Sequence, residues 1–154
     1  MSPHGCIVAL LSLTSRATLK PIEVFHPIGN KAVIVYKTTP QGHLNIYLYF
    51  PPDWSAADRR PAIVFVFGGG CATGSPAQVS TTAEYFATRG LAAASAEYRI
   101  ATIHHTLPER CAEDGKSAMR WLRMNARHLG IDGMRAIAGA GSSGGKWSML
   151  RIRA

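Results

Sequence analysis

Two glycine-rich turns carry the residues that could do chemistry. Gly141, Ser142, Ser143, Gly144 and Gly145 follow a run of small residues at 135–141, and Gly68, Gly69 and Gly70 follow an apolar run at 61–67. A serine hydroxyl is a weak nucleophile. Mounting it on a sharp turn between a strand and a helix exposes its oxygen and brings it close to the amides at the helix start. Small residues are required around it because the two backbones approach closely there. Read as a literal GxSxG, the pattern selects Ser143, flanked by Gly141 and Gly145. The glycine triplet lets main-chain amides face an oxyanion with no side chain in the way. Together the two turns point to acyl transfer through a serine.

A nucleophilic serine needs a base, and in strand-turn-helix hydrolases the chain order is serine, then an acidic residue, then histidine. After Ser142 the sequence contains no Asp, Glu or His. His104 and His105 follow the strand ending at Tyr98 and fall on the same edge of the expected sheet. Triads recur by geometry and not by order, but the plainer reading is a polar loop pair that shapes a pocket. His4, His26, His43 and His128 sit in peripheral, turn or helix-end contexts. Cys6, Cys71 and Cys111 form no CxxC pair and no metal-ligand spacing, so reduced thiols are expected, Cys71 as a small buried one, with no metal and no cofactor implied. Glu97 and Arg99 bracket Tyr98 as a structural ion pair, and Asp114 has the same status.

These turns must be positioned by an α/β scaffold. The β-branched run at 32–36, the turn at 38–42 and the alternating run at 44–50 predict an antiparallel hairpin. The stretch 61–67 is apolar without alternation, as a strand covered on both faces must be. A helix over 81–89 ended by Gly90, a strand over 91–98, a long helix from Thr106 to about His128, and a strand over 135–141 complete a βαβ alternation and hence a mostly parallel sheet. Thr106 and Glu109 are spaced as a capping box for the long helix. Within it, Lys116, Arg120, Arg123 and Arg127 share one side, opposite Cys111, Ala118 and Leu122, the pattern of an amphipathic helix with a solvated basic face.

The formal charge of +8 raises nucleic acid as a partner. The basic residues are dispersed, and no nucleic-acid motif or aromatic platform accompanies them, so no nucleic acid is expected. The apolar run at 6–13, followed by Ser15, Arg16 and Ala17, has the shape of a secretory h-region and cleavage site without the preceding basic residues, which leaves cytoplasmic and exported destinations both open. It is too short to span a bilayer.

The ordered combination of IVFVFGGG, AEYR, LPERCAEDGKSAMRWLRMNARHLGID and GAGSSGG resembles the esterase and lipase branch of the α/β-hydrolase fold, in particular bacterial acetyl-esterase and carbohydrate-esterase-like proteins, over about 31–145. The resemblance implies a small-molecule ester substrate, a nucleophile that precedes a small residue and two glycines, and therefore Ser142, with Ser143 as the literal-motif alternative. It implies an oxyanion hole from the amides of Gly69, Gly70 and Ser143. Phe67 stands where such proteins usually carry histidine, and Ala140 where the first glycine of the elbow usually lies. The expected organisation is a peripheral segment at 1–26 and, over 27–154, the N-terminal portion of an α/β-hydrolase domain, a truncated version of that fold incomplete at its C-terminus. Two functions follow from different classes: a carboxylic-ester hydrolase by descent, or an inactive truncated or frameshifted product that at most binds. An open sheet edge after residue 141 also predicts a chain prone to association.

Overall fold

The computed structural model describes residues 17–141 other than Val24 and His26. Six strands form one mixed sheet: β1 (Thr18–Leu19), β2 (Lys31–Thr39), β3 (Gly42–Tyr49), β4 (Arg60–Val66), β5 (Ala92–Ala96) and β6 (Ile131–Ala140), in the order β1-β2-β3-β5-β4-β6. Strands β1, β2, β3 and β5 pair antiparallel in turn, and β4 lies parallel between β5 and β6. Helices α1 (Ser80–Thr88), α2 (Ala101–His104) and α3 (Pro108–Met124) complete the elements, with a 3₁₀ turn at Pro76–Val79 before α1. The expected α/β architecture, a hairpin followed by parallel strands with flanking helices, is thus the observed one.

The unalternating composition of β4 follows from its place. Ala62 and Val64 face the side covered by α3, where they meet Ala118, Trp121 and Leu122, whereas Ile63 and Phe65 face α1 and meet Ala83 and Ala87. Neither face touches water, so both sets of side chains are apolar. The small residues of β6 have a local cause. A Cβ on Gly139 would lie 2.7 Å from the Phe65 ring, so the ring occupies space that only glycine leaves open.

The long helix departs from the sequence reading at both ends. α3 begins at Pro108, with Leu107 as its extended cap residue and no side-chain cap bond. Proline is suited to the first helical position and holds its predecessor extended, so it sets the boundary one residue past the threonine. The Thr106–Glu109 capping box is therefore not formed, and Thr106 Oγ1 is buried with no hydrogen-bond partner. At the other end α3 stops at Met124, short of His128. There the buried Asn125 side chain donates to the Trp121 carbonyl at 2.8 Å and accepts from the Ile22 amide at 2.9 Å. This bond and β1 fasten residues 18–22 to the domain, with Ile22 in the core.

A buried ionic cluster joins three elements. Asp114 on α3 is fully buried and accepts from Lys37 Nζ (2.6 Å), Arg99 Nε (2.8 Å), an Arg99 terminal nitrogen (2.9 Å) and the Arg99 backbone amide (3.0 Å). Lys37, on β2, also donates to Ser117 Oγ. The expected Glu97–Arg99 pair is absent. Past the end of β5 the two side chains part: Arg99 turns to α3, while the Glu97 carboxylate accepts from the Asn45 amide, Asn45 Nδ2 and Tyr47 Oη on β3. Breaking a buried pair from one side leaves an uncompensated charge and costs about 3–5 kcal/mol. Asp114→Ala, which strands two cations, is expected to lose at least that much in urea denaturation, and Glu113→Ala, at the half-exposed rim of the cluster, well under 1 kcal/mol.

Among the described residues β6 hydrogen-bonds to β4 alone. Its Met134 and Ile137 are 88% and 58% exposed. Apolar side chains along a strand edge favour association. Light scattering at moderate concentration is expected to show species larger than the monomer, reduced by Ile137→Lys; a monodisperse wild-type monomer would contradict this.

Candidate active site

The site is assembled where parallel strands end. In the register of β4 and β6, Val66 lies opposite Ala140. The residues that follow, Phe67 on one strand and Gly141 on the other, therefore leave the sheet side by side, at the spacing of neighbouring strands, about 4.8 Å. This edge, at the carboxyl ends of the parallel strands, is where open α/β sheets build their sites. Gly69 and Gly70 lie on the first of the two exits. Ser142 and Ser143, which follow Gly141 in the sequence, lie outside the described residues.

The loop over 67–74 is tightly wound. The Gly69 carbonyl accepts from the amides of Ala72 (3.0 Å) and Thr73 (3.1 Å). Gly69 has φ 131°, and a Cβ there would collide with the Thr73 carbonyl, so the turn excludes any other residue at this position. Cys71 adopts φ 63°, a left-handed conformation that costs a non-glycine residue on the order of 1 kcal/mol and persists where the surroundings enforce it.

Those surroundings are identifiable. Tyr98 Oη donates to the Phe67 carbonyl at 2.7 Å, and the two rings stack with centroids 4.1 Å apart. Burial pushes the Tyr98 phenol up to about 12, so the hydroxyl keeps its proton at any ordinary pH. The Ala101 amide donates to the Cys71 carbonyl at 3.0 Å, and the Thr102 hydroxyl donates to the Ala72 carbonyl at 2.7 Å. Phe67 is 2% exposed; at the position where the resembled proteins usually place histidine, this chain puts a core aromatic.

Cys71 is also disulfide-bonded to Cys111 on α3, with Cα atoms 5.9 Å apart. This overturns the expectation of reduced thiols. The two cysteines are 40 residues apart in sequence, and no short-range spacing signals their pairing. They meet because the loop after β4 and the first turn of α3 lie at one corner of the sheet.

His104 reaches the same edge. With Phe67, Gly74, Tyr98, Ile100 and Ile103 it lines a pocket of about 200 Å³. Its Nδ1 accepts a hydrogen bond from the Ile100 amide at 3.0 Å. A backbone amide can only donate, so Nδ1 carries the lone pair and Nε2 the proton. The basic nitrogen is thus engaged by the backbone, and Nε2 can offer the pocket a donor only. His105 caps α2 in the left-handed region at φ 51° and is exposed. Neither geometry is that of a general base. Among the described residues no group of three or more His, Cys, Asp or Glu side chains could hold a metal ion, and no helix is long and apolar enough to cross a membrane.

A glycine-rich turn beside a strand-terminal exit, on a mixed sheet of this strand order, is the framework of an α/β-hydrolase-like esterase. The chain belongs to the BD-FAE family, whose pattern matches residues 44–152. It is similar to esterase 2 of the planctomycete Thermogutta terrifontis in the propionate-bound form, at 46% identity and TM-score 0.75 over 77% of this chain and 44% of that one. The same esterase phosphorylated by paraoxon is 42% identical, TM-score 0.75, over 81% of this chain and 50% of that one; its apo form is 43% identical, TM-score 0.75, over 81% and 48%. The chain thus spans about half the length of these esterases. No curated protein matches it.

Closing a loop of 40 residues by a disulfide is worth about 4 kcal/mol in the chain-entropy description. Cys111→Ala is expected to lower stability by about 2–4 kcal/mol, and dithiothreitol to lower the wild-type thermal midpoint while leaving that of Cys71→Ala/Cys111→Ala unchanged.

Proposed function

We propose that this chain carries the nucleophile and oxyanion half of a serine carboxylic-ester hydrolase acting on small esters. Ser142 Oγ attacks the ester carbonyl carbon, the amides of Gly69, Gly70 and Ser143 hold the oxyanion, the alcohol departs with a proton, and water releases the acid from the acyl-serine. The observation that supports the reading is the pairing of Val66 with Ala140, since the two glycine-rich segments of the sequence follow these neighbouring strand ends. The esterase relative is named in propionate-bound and paraoxon-phosphorylated forms, which supports a short acyl group and a nucleophile open to phosphorylation.

The general base and its acid are not supplied by residues 143–154, which contain no Asp, Glu or His, and His104 has its lone pair turned to the backbone. This favours a second reading, in which the 154-residue chain on its own binds esters without turning them over. Residual catalysis by oxyanion and binding effects alone reaches roughly 10³ to 10⁴-fold over water in a triad enzyme stripped of its triad.

Chemical rescue separates the parts. With p-nitrophenyl butyrate, the chain alone is expected to stay within that residual range. Added imidazole is expected to raise the rate in proportion to its concentration, in a manner lost in Ser142→Ala and retained in Ser143→Ala. Indifference to Ser142→Ala would remove the nucleophile assignment. Turnover near 10 s⁻¹, ordinary for an enzyme, without imidazole would show that a base lies within these residues.

A further inference from the structure

At the end of the sheet opposite the glycine turns, the approach to β4, the end of α3 and the start of β6 enclose a cleft of about 810 Å³ lined by Arg59, Arg123 and Arg127. A cleft of this size accommodates a small molecule. Two carboxylates also line it, and both are engaged. Asp58 accepts from Arg60 Nε at 2.8 Å and from the Ser55 amide at 3.0 Å. Asp132 accepts from the Met134 amide at 3.0 Å and from Arg135 Nε at 3.2 Å. Both are held below the usual carboxylate range, Asp58 mainly by the Arg60 hydrogen bond and Asp132 mainly by the Met134 amide, with Arg59 adding a weaker field at Asp132.

The ion pairs of the described residues include none of the three lining arginines. All nine Asp and Glu side chains of the sequence lie within those residues, so no side-chain carboxylate elsewhere in the chain is left to neutralise them. Three arginines from two separate parts of the chain line one concave surface whose own carboxylates are occupied. The guanidinium fork matches the paired oxygens of phosphate or carboxylate.

We infer that this cleft binds a small molecule bearing two or more oxyanion groups, phosphate or carboxylate, at a site separate from the proposed ester site. The cleft's concavity and its bracketing carboxylates favour a compact ligand over the extended backbone of a nucleic acid. The inference stands whether or not Ser142 is a nucleophile.

The test is isothermal titration calorimetry of the whole chain with tripolyphosphate and, separately, citrate at constant ionic strength. One-to-one binding is expected, weakened about tenfold by Arg127→Gln, the loss of one charged hydrogen-bonding group. Arg123→Lys is expected to lose several-fold while keeping the charge. Arg110→Gln, whose partner Glu113 lies on the same helix away from the cleft, is expected to change affinity less than twofold. Tighter binding of tripolyphosphate identifies a phosphate ligand, and of citrate a polycarboxylate. The inference is overturned by no heat with either probe at millimolar concentration, by affinity that Arg127→Gln and Arg59→Gln leave unchanged, or by duplex DNA binding more tightly than either with the same arginine dependence. Exposed Arg59 and Arg127 can be replaced without disturbing the core, so a null result at both is informative even if Arg123 variants fold poorly.

Discussion

The buried carboxylate of Asp114 is the constraint on which the site end of this domain depends. A charge taken out of water must be matched by donors in good geometry or the fold does not tolerate it. Here the four donors come from the second strand and from the segment just past β5, while the carboxylate itself comes from α3. The requirement for simultaneous satisfaction fixes where α3 sits against the sheet, and with it the depth of Cys111. The bland apolar packing of Ala118, Trp121 and Leu122 holds the helix down, but a hydrophobic face is tolerant of sliding. A carboxylate bound bidentately by Arg99 is not.

From that fixed helix the constraint passes to the glycine loop. Cys111 holds Cys71 covalently, and α2 holds the carbonyls of Cys71 and Ala72. Tyr98, one residue before Arg99, holds the Phe67 carbonyl. The loop is thus tied at both ends to groups placed by the ionic cluster. Donors that stabilise an oxyanion are effective to the extent that they need not reorganise as charge develops. A loop rich in glycine is entropically costly to order; in this chain the cost is offset by aromatic stacking, four hydrogen bonds from Tyr98, Ala101 and Thr102, and a disulfide.

What could be read from the sequence divides along the range of the interactions. The unalternating apolar run of β4, the hairpin, the helix stop at Gly90 and the glycine turn after β4 are local signals, and each corresponds to a feature of the described fold. The capping box at Thr106 failed against another local signal, Pro108, which outranks a hydroxyl in setting where a helix starts. The disulfide and the Arg99–Asp114 pair were illegible because both depend on distant residues meeting, and proximity in sequence suggested the wrong partner, Glu97, for Arg99. Ser142 and Ser143 rest on motif and resemblance, and Gly69 and Gly70 have in addition a defined place at the carboxyl edge.

His104 shows how a residue in the right neighbourhood can be chemically wrong for a role. It lines the pocket beside the glycine loop. General-base catalysis, however, needs an accessible lone pair within reach of the nucleophile's proton. The Ile100 amide, left without an intrahelical acceptor at the start of α2, takes that lone pair instead. Recruiting His104 as a base would mean trading a backbone hydrogen bond at partial burial for a proton, and the amide at the entry to the short helix would lose its partner. With the Nδ1 lone pair engaged in this way, the imidazole has only Nε2–H left, a donor, and no second lone pair with which to remove a proton from serine.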